Sequence, residues 1–346
     1  MTYYILAWIL SIIAVGLITP LVITLYRSQG WVDDPKKSKH PKVVHLTSVP
    51  RGGGIAIYLG MFFVSLFVLP WNPVIVSIFS GATILAILGF LDDLHDLNPY
   101  FRLTVLIVPA LIVVLSGITM RFVSNPFGEG VLHLIPWVAN VFAVVWIIWN
   151  MNIVNWSKGL DGQMPGFVSI AAGIIALLSL RFSADPSQHS VTLLACIVSG
   201  GFLGFLFWNM YPQKIMPGFG AGTLAGFFLA ILSMMSGAKV ATALLVLAIP
   251  MIDATFVILR RLIHRKSPVW GDRGHLHHRL LDLGWSKRQV ALFYWITTAL
   301  LGMISLQLNS QQKFYTILAV ILLFGGFVAW ITLFFSSSNR LVRDSG

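Results

Sequence analysis

The chain predicts an all-α, polytopic membrane helix bundle, and two observations carry that prediction. Of 346 residues, 57% are apolar and only 10% charged, too few polar side chains to cover a soluble globule of this size with water-compatible surface. The charge that is present falls between long apolar runs. A helix needs roughly 20 apolar residues to cross about 30 Å of hydrocarbon with its backbone polar groups satisfied internally. About 11 transmembrane helices are expected, at 4–26, 53–71, 73–91, 103–118, 134–151, 166–182, 190–210, 219–236, 239–259, 290–308 and 314–335.

Each run has its own punctuation. The first lacks a basic segment before it and a small-residue cleavage site after it, so it reads as a retained helix. The third passes into Asp92-Asp93 and a turn before Asn98-Pro99. The fifth and sixth are joined by a polar cluster from Asn152 to Gly162. The seventh holds the single cysteine, Cys196, which excludes an intrachain disulfide and a cysteine-based metal site and reads as a small buried apolar residue. The ninth precedes the longest polar segment, 260–289. No soluble domain, repeat or low-complexity stretch interrupts the pattern, and a single domain over 1–346 is expected.

Orientation follows from Lys and Arg. Nineteen of the 23 fall in loops of one face, leaving Arg121, Arg181, Lys239 and Lys313 on the other. The heavy face should be cytoplasmic, with the N-terminus outside and the C-terminus inside. The net charge of +11 then reads as a topology signal with affinity for anionic membrane lipids, and no nucleic-acid partner is expected. Topology does not explain why ten of the twelve acidic residues share that basic face. A face that gathers carboxylates, histidines and cations is suited to an anionic substrate.

Three clusters carry the chemistry. Asp92 and Asp93 end an apolar run, where adjacent carboxylates repel unless a cation lies beside them, and hard oxygen ligands there suit Mg²⁺ held together with phosphates. The plainer reading is a helix end with a solvated turn. In Asn152-Ile-Val-Asn155-Trp-Ser-Lys158-Gly-Leu-Asp161-Gly162, asparagines three apart share a helix face, the glycines permit close backbone approach, and Lys158 and Asp161 add one charge of each sign. A capped helix end with a tight turn is the alternative. In Asp272-Arg-Gly-His275-Leu-His277-His278-Arg279 the histidines are too closely spaced to converge easily on one tetrahedral zinc, and imidazole and guanidinium donors suit a diphosphate better. A merely basic loop remains open.

Together these clusters resemble the polyprenyl-phosphate N-acetylhexosamine-1-phosphate transferases of glycosyltransferase family 4. The match runs from about Asp33 to Leu283 and includes Asp34-Pro35, Lys39, His45, Pro50-Arg51-Gly52-Gly53, Asp92-Asp93, Asn152-x-x-Asn155, Gly159-Leu-Asp161-Gly162, Pro250-x-x-Asp253 and Asp272-Arg-Gly-His-Leu-His-His. The last motif is closest to the undecaprenyl-phosphate N-acetylglucosamine-1-phosphate transferase branch. The resemblance implies transfer of N-acetylhexosamine 1-phosphate from a UDP-sugar to polyprenyl phosphate, with release of UMP, to initiate cell-envelope glycan synthesis at the cytoplasmic face of the inner (plasma) membrane. A homodimer is compatible with the sequence.

By the same resemblance, Asp92 and Asp93 assist the lipid nucleophile or bind metal, and Mg²⁺ is the expected cofactor, held by Asp92, Asp93 and Asp161. Lys39, His45, Arg51, Asn152, Asn155, Asp161, His275, His277 and His278 are expected to bind substrate. Two departures stand out. Lys158 replaces the first Asp of the family's Asp-Gly-Leu-Asp-Gly, and the segment 218–223 lacks the carboxylate of its Gly-Asp-x-Gly-Ser. A Lys158 ammonium near the diphosphate would supply charge that a metal supplies elsewhere, so Lys158 is read as catalytic. A catalytically impaired homologue that binds lipid-linked intermediates is the alternative, and a transporter is disfavoured because the charged motifs lie in loops.

Overall fold

A computed structural model describes residues 1–35, 47–125, 130–182, 184–235, 240–267 and 274–343. In chain order the helices are α1 (Thr2–Ser28), α2 (Gly53–Val68), α3 (Pro73–His95), α4 (Pro99–Val105), α5 (Ile107–Leu115), α6 (Pro136–Trp156) and α7 (Gln163–Leu180). They continue as α8 (Ser187–Asn209), α9 (Gly218–Met234), α10 (Val240–Val246), α11 (Ala248–Ile263), α12 (Leu276–Asp282), α13 (Lys287–Gln307) and α14 (Ser310–Arg343). Two antiparallel strand pairs lie between helices. β1 (Val32–Asp33) pairs with β2 (Val49–Pro50), and β3 (Phe122–Ser124) with β4 (Val131–His133).

Every expected apolar run is helical among the described residues, but not every one is a full-length span. Seven helices are long and apolar enough to cross a membrane, or eight if the bent pair α10–α11 counts as one. The runs 53–71, 103–118 and 219–236 appear as α2, α4–α5 and α9, apolar helical segments of under 18 residues. Pro109 has no N–H to offer the Val105 carbonyl, and the helix is interrupted at Leu106 between α4 and α5.

The 76° bend between α10 and α11 has the same origin. Pro250 cannot bond the Val246 carbonyl, and the Thr298 hydroxyl of α13 donates to that oxygen at 3.2 Å instead. In α1, Pro20 frees the Gly16 carbonyl, which accepts from the Trp208 indole of α8 at 2.9 Å. The multi-pass character also shows in the exposed surface. Ile5, Ile9, Leu17, Leu21 and Leu25 of α1 and Leu322 and Leu323 of α14 point outward, as suits helices whose solvent is hydrocarbon.

At the centre stands α9, buried from Phe219 to Met234. It packs on α2, α3 and α6, while α1 packs on α2 and α8, and α7 on α8 and α13. Small residues make the close approach possible. A methyl group added to Gly220 would stand 3.3 Å from Gly89 Cα of α3 and 3.4 Å from Gly54 Cα of α2, and one on Gly226 would strike the α6 backbone at Asn150. This packing brings the N-terminus of α9 against the ends of α3 and α6, where the polar clusters lie.

Candidate active site

Gly218 opens α9 with φ of 66°, a left-handed conformation that glycine adopts without strain. The surrounding space also requires it. A Cβ there would lie 2.6 Å from Asp93 Oδ1 and against the Arg51 carbonyl. The Phe219 N–H donates to Asp93 Oδ1 at 3.4 Å, so the carboxylate faces the positive end of a helix. Lys158 Nζ donates to the Gly218 carbonyl. The Asp93 carboxylate and the Lys158 ammonium therefore flank one glycine.

Phe219 joins a second cation to this group. Its ring lies 5.8 Å from Lys158 Nζ and 5.0 Å from the Arg102 guanidinium, both within cation–π range. Arg102 in turn donates to both oxygens of Asp92 at 3.0 Å, and the Leu97 N–H donates to Asp92 Oδ1 at 3.1 Å. Two adjacent carboxylates are thus matched by two side-chain cations. Burial pushes the Lys158 ammonium down to about 7, against the opposing pull of Asp93 and then Asp92.

The second cluster divides into separate roles. Asn152 donates to the Ile148 carbonyl of its own helix at 2.8 Å. Asn155 instead lies against Gly222 of α9, and its Oδ1 is buried without a hydrogen-bond partner among the described residues. The pair expected to address one ligand is therefore split. Gly162 caps α7 with φ of 73° and donates to Asn209 Oδ1 at 3.0 Å. Asp161 accepts from Lys287 Nζ at 3.4 Å and from the Gln213 N–H at 3.3 Å.

The histidines reach the same region from α12. Asp253 of α11, almost wholly buried, accepts from His275 Nδ1 at 2.9 Å and from the Leu276 N–H at 2.7 Å. That hydrogen bond orients the imidazole and leaves Nε2 for another partner. The His275 and His277 rings stack with centroids 5.6 Å apart, and His278 lies 4.3 Å from His277. His277 packs directly on Gly159, where any Cβ would collide with its ring. Gly159 is what lets the histidine cluster touch the loop that carries Lys158.

Arg51 is engaged through Asp33 at 2.6 Å, while Lys39, His45 and Asp272 lie outside the described residues. Arg102, Lys287, Asp253 and Phe219 had no assigned site role in the sequence, yet they hold or neutralise the residues that did. Lys287 and Phe219 meet partners 126 residues away, whereas Arg102 reaches back only ten residues to Asp92, and both Arg102 and Lys287 were visible as charges on the basic face.

The expected Mg²⁺ ligands do not come together. Among the described residues no three His, Cys, Asp or Glu side chains form a group able to hold a metal ion. Asp92 is spent on Arg102, Asp161 on Lys287, and Asp93 lies beside Lys158. Three carboxylates separately matched to cations are not a hard-oxygen cage for a divalent ion.

A family model, glycosyl transferase family 4, matches residues 75–237, which include Asp92, Asp93, the Lys158 loop and the start of α9. A Bacillus subtilis (strain 168) protein described as a probable undecaprenyl-phosphate N-acetylglucosaminyl 1-phosphate transferase is 30% identical over 337 residues, covering 95% of this chain and 92% of that one. The chain belongs to glycosyl transferase family 4. Other members of the family are similar at lower identity. The decaprenyl-phosphate N-acetylglucosaminephosphotransferase of Mycobacterium leprae is 28% identical over 75% of this chain and 73% of its own. The undecaprenyl-phosphate alpha-N-acetylglucosaminyl 1-phosphate transferase of Escherichia coli K12 is 26% identical over 85% and 82%.

Proposed function

We propose that this family 4 member transfers N-acetylglucosamine 1-phosphate from UDP-N-acetylglucosamine to undecaprenyl phosphate, releasing UMP, in the initiation of cell-envelope glycan synthesis. One observation carries the reading. Asp93, Lys158 and the N-terminus of α9 meet within reach of a histidine cluster held by Asp253, and the relatives named above are transferases of this kind. In the reaction, an oxygen of the lipid phosphate attacks the sugar-bearing phosphorus of the donor. A new P–O–P linkage forms, the original one breaks, and the bridging oxygen leaves with its electron pair on UMP.

The chain's own residues divide the work. The isoprenoid tail stays among the helices while its phosphate is presented to the polar face, which turns an encounter in three dimensions into one of fixed approach. His275, with Nδ1 held by Asp253, directs Nε2 to a phosphate oxygen, and its neighbours His277 and His278 extend that surface. The cations among the carboxylates offset charge that accumulates as the linkage changes hands. Purified protein should release UMP only when UDP-N-acetylglucosamine and undecaprenyl phosphate are both present. Release with neither dependence would remove this function.

The same reading places the site on the cytoplasmic face of the inner membrane, with eleven spans, the N-terminus outside and the C-terminus inside. It is supported by the distribution of Lys and Arg. Single cysteines introduced near Arg102, Lys158 and Arg265 should react with a membrane-impermeant maleimide only in inside-out vesicles, and one near Asp185 only in intact cells or spheroplasts. Labelling of the three basic-loop cysteines from opposite sides would overturn the orientation.

A further inference from the structure

The proposal concerns the cation at the carboxylate pair, and it rests on the transferase reading above. We propose that the Lys158 ammonium is the resident cation of this site, so that phosphosugar transfer here proceeds without a divalent ion held by Asp92 and Asp93. The position of Lys158 is built from three sides. Its Nζ is tied to the Gly218 carbonyl, it faces the ring of Phe219 at 5.8 Å, and the Asp93 carboxylate lies across Gly218. The other carboxylate is already clasped through both oxygens by Arg102, whose guanidinium faces the same Phe219 ring at 5.0 Å.

Two features make this a built arrangement and not an incidental lysine. Gly218 has the one backbone conformation, φ of 66°, that lets its carbonyl meet the ammonium while its Cα leaves room for Asp93. The segment that follows, 218–223, supplies no carboxylate and instead places an aromatic face beneath both cations. A divalent ion entering between Asp92 and Asp93 would meet the Lys158 and Arg102 cations, and among the described residues no third carboxylate or imidazole completes a metal-holding group with them. A side-chain ammonium gives up geometric coordination but needs no ion to load it.

In this mechanism the protonated form of Lys158 is the active one, and it gives up no proton during the step. Lipid phosphate dianion and UDP-N-acetylglucosamine become lipid diphosphate N-acetylglucosamine and UMP dianion, so charge balances without a proton entering or leaving. The ammonium lowers the cost of the charge that builds on the transferred phosphoryl group and on the departing bridging oxygen.

The test uses the full-length protein in lipid nanodiscs, with UMP release followed across a Mg²⁺ titration and in excess EDTA. Wild-type turnover should stay within roughly twofold after chelation, while Lys158→Ala should lose about a hundredfold or more and not recover at any Mg²⁺ concentration, as expected for loss of an electrostatic group in the transition state. A thermal-shift response to UDP-N-acetylglucosamine establishes that the variant is folded, and the chelation result on the wild type stands without it. Wild-type turnover that vanishes in EDTA and returns with Mg²⁺ overturns the proposal while leaving the transferase function intact. Wild-type-like turnover of Lys158→Ala overturns it equally. Absence of UMP release by the wild type under every condition removes the transferase reading, and this proposal with it.

Discussion

Asp93→Asn lowers turnover by about a hundredfold or more while the bundle stays folded, the magnitude expected when one pre-organised charge is removed from a reacting site. Asparagine keeps the volume and an acceptor oxygen, so the bond from the Phe219 N–H at the start of α9 survives. What is lost is the negative charge that holds the Lys158 ammonium in position across Gly218. The matching change at Asp92 has a different character. Its carboxylate is clasped by Arg102 and capped by the Leu97 N–H, so Asp92→Asn should appear more in the melting temperature and less in turnover than Asp93→Asn. UMP release and thermal unfolding, measured side by side on both variants, separate the two roles. Near-normal turnover of Asp93→Asn would remove it from the chemistry.

Asp253→Ala is the second large effect. This carboxylate is 1% exposed and orients His275 while capping the first N–H of α12. Removing it leaves a buried imidazole N–H and a buried backbone N–H unmatched, at a cost of roughly 1–3 kcal/mol for each unsatisfied donor. Because His275 stacks on His277, and His277 seats on Gly159, the disturbance reaches the loop that carries Lys158. Turnover at subsaturating donor should fall by about a hundredfold, within the range of misplaced catalytic groups. Asp253→Asn should recover part of the stability through the Leu276 N–H bond, and less of the activity, because it lacks the charge facing His275. Equal recovery of both would make Asp253 a purely structural residue.

Much of this was legible in the sequence because membrane folding is a severe filter. The apolar runs had to be helices, and the charged clusters had to lie at their ends, so Asp92-Asp93, Lys158 and the three histidines announced themselves. The breaks were harder to place. Pro109 and Pro250 were visible, but a proline in an apolar run states only that a carbonyl is freed, and whether the helix stops, kinks or bends by 76° depends on what answers that carbonyl. For Val246 the answer is Thr298, which lies 52 residues away.

Ion pairing was the least legible part. Adjacent carboxylates suggested a metal at Asp92-Asp93, and the family resemblance added Asp161 to that ligand set. The structure separates them through partners that local pattern cannot assign, since Lys287 reaches Asp161 across 126 residues. Asn152 and Asn155 are three apart on one helix, yet the first bonds its own helix while the second faces Gly222. Helical spacing predicts a shared face, and packing then decides which neighbour each side chain meets.

In the proposed reaction the bond broken is the one between the two phosphates of the donor. The most direct measurement supplies UDP-N-acetylglucosamine radiolabelled in its β-phosphate, together with undecaprenyl phosphate, and follows the label. Transfer of N-acetylglucosamine 1-phosphate puts the label in the lipid fraction and leaves the released nucleotide as unlabelled UMP. Label recovered in released UDP, with unlabelled sugar in the lipid, would mean that the sugar moves without its phosphate and would contradict this account.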